Sequence, residues 1–393
     1  MPTRHRLARL ASLAALAAAG SLLVACAPGS LAPAPSAAPT TSPSPSPSPP
    51  PSPTSAPERE LLLATLAASN ALAVVDPTAT DPVVASIEVG AAPWGVAVDE
   101  RAGRAFVATA EGLAVVDLAT MARTALVPYR HQPAGVAFGE YRDGGLGVAV
   151  SPDGATAYVA VHRWPDPAWL EVFDVASGTF VASVDVGVRP FDVLVDPAGA
   201  WVATVDHDTY GVTVVDAATL AARTIEVAPF GDLGFASWEK PHYGVVTATG
   251  TILLPFQGQA MVEVDPIAGT SSIAPLAAQT HQHGVAQVGG EGADAGTTVV
   301  VGTGAFGSAT RGPSLEVLRP DGTDQVVPLA QMHETATVWR ADADDAWSAV
   351  LAGGSTRDGW WDGLTIVDLD TLAQREIPVA GRPQAVVAAT LPG

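Results

Sequence analysis

The stretch at residues 146–190 reads LGVAVSPDGATAYVAVHRWPDPAWLEVFDVASGTFVASVDVGVRP and contains four short apolar runs. Each run has the length and the alternating or β-branched composition of a strand. The sequences SPDG and ASG between the runs are typical of reverse turns. The stretch therefore predicts a four-stranded antiparallel meander.

The same order of runs recurs along the chain, and its clearest marker is a third strand that ends in Asp. A degraded copy lies at residues 315–319. The six regular copies end at Asp76, Asp117, Asp174, Asp216, Asp265 and Asp368. A period of about 40 to 55 residues with four strands per repeat is typical of propeller blades. Because one blade cannot bury both faces of its sheet, the repeats are expected to pack radially against one another.

Seven innermost strands can be counted. They start near Trp94, Leu146, Phe191, Tyr243, His283, Glu334 and Gln384. The last has no strand after it, and the first repeat, near Leu61, has no innermost strand before it. The sequence therefore predicts an all-β fold, a seven-bladed β-propeller with four-stranded antiparallel blades, closed by the C-terminal strand joining the N-terminal blade.

Two stretches carry a resemblance to a known family. Pro133 followed by residues 146–160, and the sequence PFDVLVDP at residues 190–197, resemble the YVTN-type β-propeller repeats of secreted bacterial proteins. The resemblance extends from roughly residue 60 to the end of the chain. It implies the propeller fold, and it implies no particular activity because such propellers host many functions.

The N-terminal segment predicts export and a lipid anchor. Residues 1–26 have a basic start, an apolar run and the sequence LVAC at residues 23–26, which indicate a signal peptide rather than a spanning helix. Residues 23–26 match the bacterial lipobox, so lipidation is predicted at Cys26. The alternative is an ordinary secretory signal in which the cysteine occurs by chance. Cys26 is the only cysteine, which excludes an internal disulfide.

The predicted domains are therefore a lipoprotein signal peptide at residues 1–26, a Pro/Ser/Ala-rich disordered linker at residues 27–57 and the propeller at residues 58–393. We expect the chain to be anchored through Cys26 on the extracytoplasmic side of a bacterial inner or outer membrane, in the cell envelope.

The net charge of −21, from 19 Lys and Arg against 40 Asp and Glu, argues against a nucleic acid or an anionic lipid surface as the ligand. We expect a monomer.

Histidines are the most informative polar residues. Seven remain beyond the signal peptide, and the repeat register places them all toward the face at which the innermost strands begin, here called the top face. Regular innermost strands carry a proline two residues before Gly-Val or its equivalent, and these prolines are Pro93, Pro133, Pro190 and Pro383. In three consecutive irregular repeats the same slot holds His242, Gln282 and His333.

Several imidazoles near one sector of a channel mouth favour a site for zinc or another divalent transition metal. The predicted ligands are His242, His283 and His333, with His281 or His131 as a fourth and Glu334 in support. The alternative is that these histidines only bond backbone carbonyls of neighbouring blades. His162 and His207 are interpreted as loop residues.

A second resemblance concerns the same segments. The sequences KPHYGVV at residues 240–246 and THQHGVA at residues 280–286 are similar to segments of the propeller-type periplasmic zinc metallochaperones. That resemblance implies His242 and His283 as ligands, Zn²⁺ as the bound ion, and delivery of the metal to the binding protein of an importer.

Aromatic residues in the top loops suggest a rival function. Trp164, Trp169, Trp360 and Trp361 could form a rim that docks an envelope protein without metal. A third possibility is a lactonase-like hydrolase working by general acid-base chemistry at the channel mouth. The sequence contains no Gly-x-Ser-x-Gly, P-loop or His-Glu-x-x-His motif, so we assign no catalytic residues and favour a protein that is not an enzyme.

Overall fold

Strands of four to nine residues dominate the molecule. The computed structural model describes residues 59–227, 240–256, 260–278, 282–303, 312–356 and 359–391. Within these ranges the chain forms seven four-stranded antiparallel sheets and one short hairpin, which confirms the predicted propeller. Residues 1–58, with the predicted signal peptide, Cys26 and linker, lie outside the described residues, as does His281. None of the helices in the described ranges is long and apolar enough to cross a membrane.

The blades follow one another along the chain, and each runs from the channel outward except blade 1. Blade 1 contains β1 (Arg59–Leu66), β2 (Ala71–Val75) and β3 (Val83–Glu88). Blade 2 contains β4 (Val96–Asp99), β5 (Arg104–Ala108), β6 (Leu113–Asp117) and β7 (Ala122–Val127). Blade 3 contains β8 (Gly144–Val150), β9 (Thr156–His162), β10 (Ala168–Asp174) and β11 (Thr179–Val186). Blade 4 contains β12 (Pro190–Val195), β13 (Trp201–Asp206), β14 (Gly211–Asp216) and β15 (Ala222–Glu226).

The remaining blades include the irregular repeats. Blade 5 contains β16 (Val245–Val246), β17 (Ile252–Phe256), β18 (Ala260–Asp265) and β19 (Thr270–Pro275). Blade 6 contains β20 (Gln282–Gln287), β21 (Thr298–Gly302), β22 (Ser314–Leu318) and β23 (Asp324–Pro328). Blade 7 contains β24 (Thr335–Trp339), β25 (Ser348–Ala352), β28 (Gly363–Asp368) and β29 (Gln374–Pro378), with the hairpin β26 (Ser355–Thr356) and β27 (Gly359–Trp360) inserted. A 3₁₀ turn, His207–Thr209, follows β13.

The ring closes as the sequence predicts. The last strand, β30 (Pro383–Leu391), pairs antiparallel with β1, from Arg59 opposite Leu391 to Leu66 opposite Pro383. It is thus the innermost strand of blade 1. Closure with strands from both chain ends satisfies the edge that either end would otherwise expose.

The Asp that ends most third strands organises the turn that follows it. In blade 4 the Asp216 carboxylate accepts hydrogen bonds from the Thr219 amide, at 2.8 Å, and hydroxyl, at 2.7 Å. Asp368 makes the same pair with Thr371, both at 2.7 Å. The hydroxyl and amide bonds lower the pKa of Asp216 and of Asp368. The repeated signature therefore marks an Asp-capped reverse turn.

The glycine of the Gly-Val pattern lets neighbouring innermost strands approach closely at the channel. A Cβ on Gly147 would lie 2.6 Å from the backbone of Asp192 in the next blade, and one on Gly284 would lie 2.7 Å from the carbonyl oxygen of Glu334. Real Cβ atoms do not tolerate such contacts, so any larger residue would push the blades apart. This spacing sets the geometry of the top face.

Apolar side chains fill the spaces between neighbouring blades and also cap the centre. Val212 of blade 4 and Leu254 of blade 5 belong to one buried cluster, which illustrates the contacts between blades. A separate buried cluster at the starts of four innermost strands consists of Trp94, Leu146, Phe191 and Tyr243. These four side chains form an apolar cluster near the channel mouth, where the centroid of the Phe191 ring lies 4.6 Å from that of His242.

Two buried glutamates tie neighbouring blades together. Glu171 on β10 accepts hydrogen bonds from the amides of Arg130, at 2.8 Å, and His131, at 2.7 Å, in the loop after blade 2. Glu316 on β22 does the same for Ala277, at 2.8 Å, and Ala278, at 2.9 Å, after blade 5. Each carboxylate therefore accepts hydrogen bonds from backbone N–H groups that are not paired within a sheet.

The prediction that Pro133 occupies the proline slot of a regular innermost strand is wrong. The innermost strand of blade 3 begins at Gly144, and residues 128–143 contain no strand. The sequence PAGVAF at residues 133–138 resembles a strand start, but only Val148–Val150 continues directly into the SPDG turn, where Ser151 N donates to Thr156 O at 2.8 Å. Residues 133–138, which resemble the start of a strand, belong instead to a loop on the top face.

Candidate metal centre

Three buried side chains converge where the innermost strands of blades 5, 6 and 7 begin. His242 stands three residues before β16, His283 lies in β20 and Glu334 immediately precedes β24. One nitrogen or oxygen atom of each lies within 4.8 Å of the corresponding atoms of the other two. Their relative exposures are 0%, 1% and 0%, so the cluster is shielded from solvent.

The backbone explains why these three residues meet. The pairing of β20 with β21 shifts register between Gln282 and Val285, next to the close approach of Gly284 to blade 7. As a result, Nδ1 of His283 lies 3.0 Å from Oε2 of Glu334. The contact is short but poorly aligned for a hydrogen bond.

Imidazole rings form a row across the mouth. The centroids of His207 and His242 are 4.4 Å apart, and those of His242 and His283 are 4.2 Å apart with nearly parallel planes. Nδ1 of His207 lies 2.8 Å from Oδ1 of Asp208. Burial lowers the pKa of His207 to about 4, although the bond with Asp208 raises it. His207 is therefore neutral at pH 7, the form that binds metals.

Asp208 pairs with two cationic side chains in addition to His207. Lys240 Nζ lies 2.6 Å from Oδ1 and Arg189 Nη1 lies 2.5 Å from Oδ2. Burial alone would raise the pKa of Asp208, but its bonds with His207 and Lys240 outweigh burial and hold the pKa well below its usual range. A permanently ionised Asp208 fixes the orientation of the His207 ring.

Glu334 has the opposite character. Burial raises its pKa to about 8, against a smaller lowering by the nearby Tyr243 hydroxyl. Neither carboxylate oxygen makes a hydrogen bond of good geometry to a described residue. The metal-free carboxyl group is therefore protonated at neutral pH, and a divalent cation would compete with that proton.

The donor set fits zinc. Two imidazoles and a carboxylate are ligands that Zn²⁺ accepts, and three protein ligands leave one tetrahedral position open. Bonds of about 2.0 Å place tetrahedral ligand atoms about 3.3 Å apart. The donors already lie within 4.8 Å of one another, so small side-chain rotations would suffice.

The structure places two other predicted ligands elsewhere. His333 is fully buried, with Nε2 2.8 Å from the Thr365 hydroxyl and its ring against Trp361, and burial lowers its pKa to about 3. Because successive residues of an extended chain point to opposite sides, Glu334 faces the cluster and His333 does not. His131 bonds Glu171 through Nδ1, at 3.0 Å, and stacks on Trp169 at 3.8 Å.

Two residues of the site have no sequence signal as ligands. His207 belongs to the row although it reads as a loop residue. Glu140 lies in the long loop before β8, and its Oε1 is 3.0 Å from Nε2 of His242, 102 residues away along the chain. Only the folded path of that loop brings the two together, so no local motif could reveal the contact.

The predicted aromatic rim is only partly exposed. Trp164 and Trp360 are 63% and 54% exposed, whereas Trp169 is 9% exposed because it stacks on His131. Trp361 is half-buried against His333. The exposed part of the rim therefore consists of Trp164 and Trp360.

Comparison with known proteins supports the fold. No protein-family model and no curated protein matches the sequence. Among solved structures, the chain is similar to Kuenenia stuttgartiensis hydrazine synthase, with 15% identity over 82% of this chain and 93% of that chain and a TM-score of 0.54. It also matches the dihydro-heme d1 dehydrogenase NirN in complex with DHE, with 17% identity over 72% of this chain and 55% of that chain and a TM-score of 0.49. At such identities the likeness concerns the propeller fold alone.

Proposed function

We propose that this protein is a lipid-anchored, extracytoplasmic metal-binding propeller that holds Zn²⁺ at the channel mouth. The observation that carries the proposal is the buried convergence of donor atoms from His242, His283 and Glu334 within 4.8 Å. The Glu334 carboxyl group is buried and neither oxygen makes a hydrogen bond of good geometry to a described residue, which is unfavourable unless something compensates it. A divalent cation would supply that compensation.

The geometry favours an exchangeable ion over a structural one. Structural zinc sites are closed by four protein ligands, whereas three ligands leave room for an incoming group. The donors lie at a channel mouth, where the innermost strands of blades 5, 6 and 7 begin. Together with the resemblance of residues 240–246 and 280–286 to zinc metallochaperones, this supports a role in metal carriage.

Calorimetric titration with zinc tests the site. We expect one-to-one binding to the soluble fragment from Glu58, weakened about 100-fold or more, or about 2.7 kcal/mol, in the His242→Ala/His283→Ala double variant. His131→Ala is the matched control, because its ring is bonded to Glu171, and it should retain wild-type affinity. Binding weaker than about 10 µM, or equal binding by the double variant, would contradict the proposal.

The location is a separate part of the proposal and rests on the LVAC sequence at residues 23–26. Cells fed a labelled fatty acid should incorporate the label into the wild-type protein and not into Cys26→Ser, which should lose its membrane association. Label in the serine variant would contradict the predicted anchor.

A second candidate function is metal-independent recognition of an envelope protein. The exposure of Trp164 and Trp360 favours it. A photo-reactive side chain at either position should then cross-link one defined protein, and a chelator should leave the yield unchanged. Turnover of a panel of lactones would instead favour a hydrolase.

A further inference from the structure

The loop before β8 reaches across the mouth to the candidate metal centre. It starts after blade 2, yet Glu140 reaches His242 at the start of blade 5. Tyr141 follows, with its ring 6.1 Å from the rings of both Phe191 and His207. The Glu140 side chain is only 9% exposed, so the loop and the site cover each other.

Both ends of this loop are firmly held. The Tyr129 hydroxyl donates to the carbonyl oxygen of Gly112 at 2.7 Å or of Thr109 at 2.9 Å. At the other end, the buried Arg142 donates from Nη2 to Gly145 O at 2.6 Å, and its guanidinium lies over the Trp94 ring. Movement would therefore be confined to the residues between these anchors.

The central part of the loop has few restraints. Residues 134–139 are all exposed and belong to no strand, and Val136 and Phe138 are 47% and 64% exposed. A Cβ on Gly135 or Gly139 would meet no atom within 4 Å, and Gly139 has a φ of 96°. These glycines can absorb a change of backbone direction without a steric penalty.

We propose that residues 133–141 form a lid over the metal site, latched by hydrogen bonding between Glu140 and Nε2 of His242. The inference rests on the proposed function and adds a means of regulating the same site. A metal bound to the other ring nitrogen makes the Nε2–H group a stronger donor, and a carboxylate partner raises the basicity of the ligand. Metal binding and lid closure therefore stabilise each other.

The coupling between metal binding and lid closure acts in both directions. If metal favours the closed lid by a certain factor, a closed lid favours metal by the same factor. Whatever lifts the exposed segment around Phe138 would lower the affinity for the ion. Glu140 is thus a positioning residue that links release of the metal to movement of the lid.

Limited chymotrypsin digestion of the purified full chain, with and without zinc, measures lid closure. We expect zinc to slow cleavage after Phe138 by about tenfold or more, within the usual range of coupling factors. The protection should be lost in Glu140→Ala and partly kept in Glu140→Gln, which retains an acceptor. Glu291→Ala, in an exposed bend, makes the same charge change and should behave as wild type.

Release of zinc into an excess of a coloured chelator provides the second readout. Glu140→Ala should release zinc about tenfold faster than the wild type or Glu291→Ala. Equal release rates together with equal zinc protection in Glu140→Ala would overturn the lid. If the wild type binds no zinc, the proposed function fails, and the latch is then judged by cleavage without zinc: faster cutting of Glu140→Ala supports it and equal cutting overturns it.

Discussion

Replacing Glu334 by Gln is expected to stabilise the metal-free propeller at neutral and alkaline pH while impairing zinc binding. Burial raises the pKa of Glu334 from 4.5 to about 8. Between these values the folded state holds a proton that the unfolded state has released. Glu334 therefore makes the stability of the wild type fall as the pH rises from about 4.5 to about 8, and Gln removes this contribution.

The magnitude follows from the same window. Each pH unit between the two pKa values contributes about 1.4 kcal/mol. At pH 7 the Glu334→Gln variant should therefore gain about 3 kcal/mol over the wild type, and at pH 9 about 5 kcal/mol. At about 2 °C per kcal/mol for a large domain, the shift in Tm at pH 7 is about 6 °C. Near pH 4.5 the two proteins should melt together.

Scanning calorimetry in a chelating buffer at pH 4.5, 7 and 9 measures this difference. Glu263→Gln, at an exposed position of β18, is the matched control and should melt like the wild type at all three pH values. Zinc at 100 times its Kd should stabilise the wild type by about 2.7 kcal/mol and the Gln variant much less. A variant that is less stable than the wild type at pH 9 without metal would refute the argument that Glu334 is desolvated.

Three further predictions concern the frame around the site. Deleting residues 384–393 should abolish cooperative unfolding in circular dichroism, because β1 loses its partner β30; a normal melt would show that closure is dispensable. Gln at Glu171 or Glu316 should lower stability by about 2 kcal/mol in urea titrations, since charged acceptors between blades are lost, whereas Glu263→Gln should have no effect; equal midpoints for all three would contradict this. Burial raises the pKa of Asp206 to about 7, so this carboxyl should lower wild-type stability by about 1.4 kcal/mol per pH unit between about pH 4 and 7, in addition to the contribution of Glu334; Asp206→Asn should reduce the slope of stability against pH by that amount, and a slope equal to that of the wild type would argue against it.

The fold could be predicted from the sequence because each blade repeats the same local pattern of strands and turns. The third-strand Asp predicts a turn, and the structure supplies its reason in the Thr219 amide and hydroxyl that bond Asp216. The start of the innermost strand of blade 3 near Leu146 is predicted correctly, since β8 spans Gly144–Val150. The proline slot is wrongly assigned to Pro133, because PAGVAF at residues 133–138 also resembles the start of an innermost strand.

The site was only partly readable for a different reason. The histidines in the proline slot direct attention to blades 5, 6 and 7, and the structure brings His242, His283 and Glu334 together there. The slot does not fix which of two adjacent residues faces inward; in blade 6 that depends on the register shift after Gln282. Contacts made across the mouth, such as that of Glu140 with His242, depend on the closed ring and leave no trace in any one repeat.

The balance of charge between a divalent cation and the carboxylates of Glu334 and Glu140 links the proposed lid to the candidate metal centre. Neutral imidazoles of His242 and His283 with an ionised Glu334 carry one negative charge, which leaves a bound divalent cation with one excess positive charge in a buried setting. Glu140 brings the second negative charge when its side chain lies on His242. With the proposed lid closed, a bound divalent ion and the two carboxylates would be neutral together, and burial would no longer oppose binding. Opening the lid would leave an unbalanced charge, so the ion should be easiest to remove when the mouth is accessible.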